Sequence, residues 1–196
     1  KIFGQPIGTL APDERRAIGM RAAPEERLGH AAAPVMTLIE NTLITSHSED
    51  VINRWGIINF DNVKEKTKDI VSEFDVRTPT LDNAAASLSG GNLQKFVIGR
   101  EILQKPLVFV VNQPTWGVDA AAAAFIRQSI LNLASNDSAV VVISQDLDEL
   151  FEICDTFSVL TNGRMSKSHD IRSLSSEDVG LLMGGSDLDG KSHDTA

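Results

Sequence analysis

Two short, almost wholly apolar runs constrain this chain more than anything else in it. Leu107-Val108-Phe109-Val110-Val111 and Ala139-Val140-Val141-Val142-Ile143-Ser144 each have the length of one strand and lack polar alternation. The first is of the kind buried on both faces of a sheet, and the second reads as another central strand. Between them the alanine-rich stretch 120–134 reads as a helix. Strand, helix, strand predicts parallel strands joined by helical crossovers, hence an α/β fold. At 196 residues, with 42% hydrophobic and 23% charged, the chain can bury one core, or one domain with a smaller lobe.

The other segments follow from periodicity and punctuation. Residues 1–28 read as strand, short helix, strand. Lys1-Ile2-Phe3 and Ile7 form the end of a small antiparallel sheet, with Gly4-Gln5-Pro6 as its turn. Pro12, Asp13 and Glu14 open a helix over 10–17, and Ile18–Ala23 is a strand stopped by Pro24. From Thr37 to about Val76 the pattern is helical. Leu38, Ile39, Thr42 and Leu43 make one apolar stripe; Val63, Thr67, Ile70, Val71 and Phe74 make another. Beyond β-run 139–144 we expect a helix over 146–154 and a hairpin of 156–160 and 164–166 turning on Asn162-Gly163. A last helix is expected over 175–183, then a mobile tail rich in Gly, Ser and Asp.

The chemistry concentrates at Ser87-Leu88-Ser89-Gly90-Gly91-Asn92-Leu93-Gln94-Lys95, where two glycines open a helix expected over 92–104. Leu93, Phe96, Val97 and Leu103 are its expected inward face. A helix start leaves backbone N–H groups unpaired and partly positive, and glycine lets a large anion approach them. Ser89 adds a hydroxyl. The segment suits a phosphate; Ser-Gly-Gly is also an ordinary turn and N-cap.

Leu88-Ser89-Gly90-Gly91-Asn92-Leu93-Gln94-Lys95 resembles the signature loop of ATP-binding cassette (ABC) ATPases, in the form typical of importers for simple sugars and nucleosides. Leu107–Asp119, with Asn112-Gln113-Pro114-Thr115-Trp116-Gly117-Val118-Asp119, looks like the family's Walker B strand running into its D-loop. Val140–Leu150 resembles the next strand and switch loop, and Pro24-Glu25-Glu26-Arg27-Leu28-Gly29 resembles the loop that carries the family's Q-loop glutamine. The resemblance implies a P-loop NTPase-like ABC ATPase domain, a mostly parallel sheet with helices, plus an inserted helical subdomain. It divides the chain into the end of an antiparallel β subdomain and Q-loop region (1–35), the helical subdomain (36–87), the signature helix and α/β core (88–183), and a flexible tail (184–196).

By the same resemblance Ser89, Gly90, Gly91 and Asn92 bind nucleotide in trans, over ATP held by a partner cassette. Glu25 takes the Q-loop position, with a solvated loop carboxylate as its plain alternative. Asp119 is the D-loop residue that couples the two sites, or simply a helix cap. Trp116 packs at a dimer interface or against its own domain.

The catalytic positions depart from the family. Its Asp-Glu pair is matched by Asn112 and Gln113, and its switch histidine by Gln145. An amide hydrogen-bonds water but does not accept a proton, and it offers a dication less than a carboxylate does. The site is therefore expected to be degenerate. We also read the chain as lacking the Gly-x-x-x-x-Gly-Lys-[Ser/Thr] loop that cradles ATP, with the P-loop part missing from the N-terminal side. It has no tyrosine to stack on adenine. The bare edge left by a missing strand predicts a marginal, aggregation-prone fragment.

The expected function is that of an energy-coupling ATP-binding subunit fragment of an ABC importer for sugars or nucleosides, inactive alone. ATP and Mg2+ would be bound mainly by the partner cassette, the first half of the same protein. Membrane permease subunits and, indirectly, a substrate-binding protein complete the partners, at the cytoplasmic face of the plasma membrane. The alternative is a regulatory or interaction module that keeps the ABC shape without transport.

A net charge of -9 with no basic run argues against nucleic acid, and with it a DNA-repair or translation ATPase. Cys154, the sole cysteine, rules out an internal disulfide and reads as a small core residue. His30, His47, His169 and His193 are too scattered for a metal site, so no metal ligands are assigned.

Overall fold

The computed structural model describes residues 1–46, 51 and 56–185. It divides into two compact units, Lys1–Gln145 and Asp146–Ala196.

The first unit is built on a sheet of three parallel strands, β1 (Met20–Ala23), β2 (Val108–Asn112) and β3 (Ala139–Ile143), with β2 in the middle. Helix α1 (Pro12–Ala17) precedes β1 and has proline in its first turn; the Ala11 N–H donates to Glu14 at 2.7 Å. Helices α2 (Leu38–Leu43), α3 (Phe60–Glu73) and α4 (Gly90–Ile102), with a 3₁₀ turn at Ala85–Ser87, lie between β1 and β2 in the chain. Helix α5 (Ala120–Ala134) crosses from β2 to β3, as the alanine-rich stretch predicts.

Only one face of the sheet is well covered. Ala23, Phe109 and Val111 point into the core, where α4 packs on β1 and α5 on β3. Met20, Ala22, Val108, Val110, Ala139, Val141 and Ile143 share the other face by register. There Val141 is 48% and Ile143 50% exposed. Burial on both faces, expected of Leu107–Val111, is corrected: Val108 and Val110 on this face are only partly buried, and among the described residues no helix of this unit covers it.

Helix α4 is the centre of the unit. Leu93, Phe96, Val97 and Ile98 are buried, and so are Gln94, Arg100 and Glu101, because α3, β1 and α5 all pack on α4. The expected inward face was too narrow, and Leu103, expected within it, is only half-buried. The buried charges are satisfied. Arg100 donates to Glu101 (3.0 Å), the Ala31 carbonyl (2.7 Å) and the Asn41 carbonyl (3.2 Å), and Glu101 also accepts from Arg16 (2.9 Å). The network ties the loop after β1, α1 and α2 to α4.

Three further expectations need correction. The helical pattern from Thr37 to Val76 resolves into short α2 and longer α3; residues 47–50 and 52–55 lie outside the described residues. Thr42 and Ser46 turn their hydroxyls back onto the Leu38 and Thr42 carbonyls, a local competition that disfavours continued helix. The first strand starts at Met20, not Ile18, since Gly19 has φ +88. At the N-terminus a single bridge, Ile2 with Gln5, turns on Phe3 and Gly4, and no strand forms there.

In the second unit α6 (Leu147–Ile153) is capped by Asp146. Strand β4 (Thr156–Phe157) pairs with β7 (His169–Asp170), and β5 (Leu160–Thr161) with β6 (Arg164–Met165). The Asn162-Gly163 turn has φ 49° and 73°, as a two-residue hairpin requires, but its strands are shorter than expected. Helix α7 (Ser176–Met183) follows. Cys154 sits just past α6, half-buried; burial, assisted by Asp155 and Glu149, pushes its thiol up and keeps it protonated. The expected tail lies, beyond Gly185, outside the described residues. Among the described residues no helix is long and apolar enough to cross a membrane.

Candidate functional site

Because β1, β2 and β3 are parallel, their carboxyl ends share one edge, the edge at which open α/β sheets take ligands. The loops 24–29, 113–119 and 144–145 leave from it. Asn112 closes β2 opposite Ile143, and the Gln113 N–H donates to the Ile143 carbonyl at 2.7 Å. Gln113 is buried and left-handed, with φ 51°. A non-glycine residue held there costs about 1–3 kcal/mol, a strain that clusters at functional sites. Gln145 and Glu25 are exposed and have no partner among the described residues.

Helix α4 begins at Gly90, two residues earlier than expected, with Ser89 as its N-cap. The glycines form its first turn. Neither the Gly90 nor the Gly91 N–H has a partner among the described residues. Asn92 is more occupied: its N–H and side-chain amide donate to Ser89 Oγ at 3.5 and 2.9 Å, and its Oδ1 accepts from the Arg77 N–H at 2.9 Å. That leaves two backbone donors and a hydroxyl at the positive end of a 13-residue helix, a donor set that fits phosphate oxygens.

The turn 113–119 is fastened beside this helix start. Gln94 Nε2 donates to the Pro114 carbonyl at 2.8 Å, while its Oε1 is buried without a hydrogen-bond partner among the described residues. A Cβ on Gly90 would lie 3.7 Å from the Gly117 carbonyl; one on Gly91 would meet Asp119 Oδ2 at 3.7 Å. Asp119 caps α5, accepting from the Ala122 N–H at 2.9 Å, and this bond foremost holds its carboxyl below the ordinary aspartate value. Trp116 projects from the same turn, 65% exposed, so packing against its own unit is not what holds it.

Sequence reasoning missed Gln94 and Arg27. The Arg27 Nη1 donates to the Gly90 carbonyl at 3.4 Å, and a Cβ on Gly90 would stand 3.1 Å from it. Arg27 has no carboxylate partner among the described residues; burial lowers its pKa. Arg27 and Gly90 stand 63 positions apart, and no periodicity links them. Only the likeness of 24–29 to a known loop marked that segment at all.

The tail overturns the expected absence of a Gly-x-x-x-x-Gly-Lys-[Ser/Thr] string. Gly185-Ser186-Asp187-Leu188-Asp189-Gly190-Lys191-Ser192 does spell Gly-x-x-x-x-Gly-Lys-Ser. It follows helix α7 rather than a strand, and Asp187 and Asp189 oppose a phosphate, so the spelling alone carries no nucleotide site. Residues 186–192 lie outside the described residues. Asn112 and Gln113 offer a divalent cation only neutral oxygens, which stabilise it less than carboxylates would. Among the described residues no cluster of His, Cys, Asp or Glu forms a metal site.

This arrangement is the fold of an ABC ATPase. The dimeric, post-hydrolysis ATP-binding cassette MJ0796 bound to ADP and Pi superposes with a TM-score of 0.65 over 85% of this chain and 70% of that one, at 18% identity. An inward-facing putative metal-chelate type ABC transporter gives 0.66 over 85% and 64%, also at 18% identity.

In sequence the chain is similar to ATP-binding proteins of sugar and nucleoside import. It is 31% identical over 185 residues to the guanosine import ATP-binding protein NupO of Bacillus subtilis, covering 94% of this chain and 36% of that protein. It is 32% identical over 179 residues to the galactose/methyl galactoside import ATP-binding protein MglA of Mannheimia succiniciproducens, covering 91% and 35%. The chain thus spans about a third of the length of these curated relatives. It matches no protein-family model.

Proposed function

We propose that this chain is part of the energy-coupling ATP-binding subunit of an importer for sugars or nucleosides, and that it serves a nucleotide held by another cassette. The carrying observation is the start of α4: the unpartnered Gly90 and Gly91 N–H groups and the Ser89 hydroxyl, beside the 113–119 turn. Facing a terminal phosphate gripped by the partner cassette, these donors meet negative charge as it redistributes during phosphoryl transfer. Asn92 steadies Ser89 rather than binding the nucleotide itself.

This chain's own hydrolytic positions are weak by chemistry. Asn112, Gln113 and Gln145 orient water by hydrogen bonds but take no proton from it. Asp119 and the 113–119 turn link the two sites. Permease subunits hold the assembly at the membrane, and substrate choice rests with them and a binding protein.

The test uses the assembled transporter in vesicles. Ser89→Phe, which removes the hydroxyl and crowds the donor groups, lowers ATP turnover by about 100-fold or more, as loss of transition-state donors does. Asn112→Ala, in the degenerate site, changes turnover by less than about threefold. Ordinary turnover with Ser89→Phe would defeat the proposal. Recovery of the protein only with soluble partners would instead favour a regulatory module.

A further inference from the structure

We propose that Arg27 is a positioning residue for the donor loop: its guanidinium holds the start of α4 against the 113–119 turn. The inference rests on the trans reading of Ser89, Gly90 and Gly91 and extends it to the loop after β1.

The geometry is that of a bridge. Nη1 reaches the Gly90 carbonyl at 3.4 Å, and Nη2 would lie 3.7 Å from a Cβ on Gly117. One planar, forked cation therefore bonds the first residue of α4 and stands beside the neighbouring turn at Gly117. Gly117 has φ +63, a backbone conformation that favours glycine, and a side chain on Gly90 would crowd Nη1 and push it aside.

The base of the bridge is firm. The Arg27 carbonyl accepts from the Ala32 N–H at 2.7 Å, and the Glu26 carbonyl from the Ala31 N–H at 3.1 Å, closing the loop on itself. Buried Arg100 on α4 donates to the Ala31 carbonyl at 2.7 Å, so the same helix grips the loop at both ends.

The electrostatics give the bridge a reason to respond. Arg27 is half-buried, without a carboxylate partner among the described residues, at a helix end that already carries positive charge. Without an anion the two repel. A terminal phosphate at the Gly90 and Gly91 N–H groups relieves both and tightens the contact. The loop 24–29 thereby senses whether the donor site is filled.

The experiment compares variants of the full-length protein in the assembled transporter, reading kcat and KM for ATP. Arg27→Ala lowers kcat about tenfold with KM changed less than about twofold, the signature of an interaction that matters in the transition state. Gly90→Ala, which pushes a methyl onto Nη1, is also slow. The double variant is no slower than Gly90→Ala alone, because both act on one contact. Should Arg27→Ala fail to assemble, Arg27→Lys keeps the charge without the fork and lowers kcat about threefold.

An unchanged kcat, or effects that multiply in the double variant, would overturn the proposal. Ser89→Phe run alongside separates the two failures. If it stops turnover while Arg27→Ala does not, only the role of Arg27 falls. If turnover survives Ser89→Phe, the donor site and this inference fall together.

Discussion

At the first turn of α5, Asp119 sets a carboxylate against amide hydrogens that the helix cannot satisfy by itself. Its bond from the Ala122 N–H is the main cause of a carboxyl held below the ordinary value of 3.8. A depressed carboxyl adds stability that is present above the unfolded value and lost as pH falls through the folded one. The window therefore opens near pH 3.8 and extends below it. Asp119→Asn keeps a cap but removes the charge, so its urea midpoint should fall less than that of the parent between about pH 6 and about pH 2.5. Parallel acid curves for the two proteins would remove this account. Asp119 was legible in sequence as a cap or a D-loop residue, and the cap is what its bonds display. Ser89 and the glycines were legible because one local segment holds their chemistry. Arg27 and Gln94 were not, because their partners lie across the fold.

Helices α3 and α4 approach so closely that a Cβ on Gly99 would stand 2.5 Å from the Phe74 ring. Helix propensity alone favours alanine over glycine there by about 1 kcal/mol. Overpacking of a buried ring costs about 1–3 kcal/mol, so the clash wins. Gly99→Ala should lower the denaturant midpoint, and Gly99→Ala with Phe74→Leu should recover part of the loss. A more stable single variant would show that the ring moves aside freely. The elements were readable where the pattern was strong: the two apolar runs became β2 and β3, and the alanine-rich stretch became α5. The burial of β2 on both faces was misjudged because composition marks a strand as apolar without saying what covers it. Helix α4 was misjudged the other way: Arg100 and Glu101 look like a solvated pair, yet their partners are the Ala31 and Asn41 carbonyls and Arg16.

The larger unit carries an apolar sheet face that its own helices leave open, with Val141 and Ile143 half exposed. Surfaces of that kind attract apolar partners and promote self-association. Val141→Lys and Ile143→Lys together should reduce both light scattering and binding of an apolar dye by the isolated chain. No change in either would mean that this face is already covered. The general architecture was within reach of the sequence, because βαβ alternation allows few arrangements; which faces remain open was not. The parallel strands have a practical consequence for anyone cutting or extending this chain. Lys105-Pro106 and Asn136-Asp137-Ser138 lead into β2 and β3 at the end away from the loops 24–29 and 113–119. A tag, a protease site or a split point placed there would sit a full strand length from the donor groups, whereas the same insertion after Asn112 would land among them.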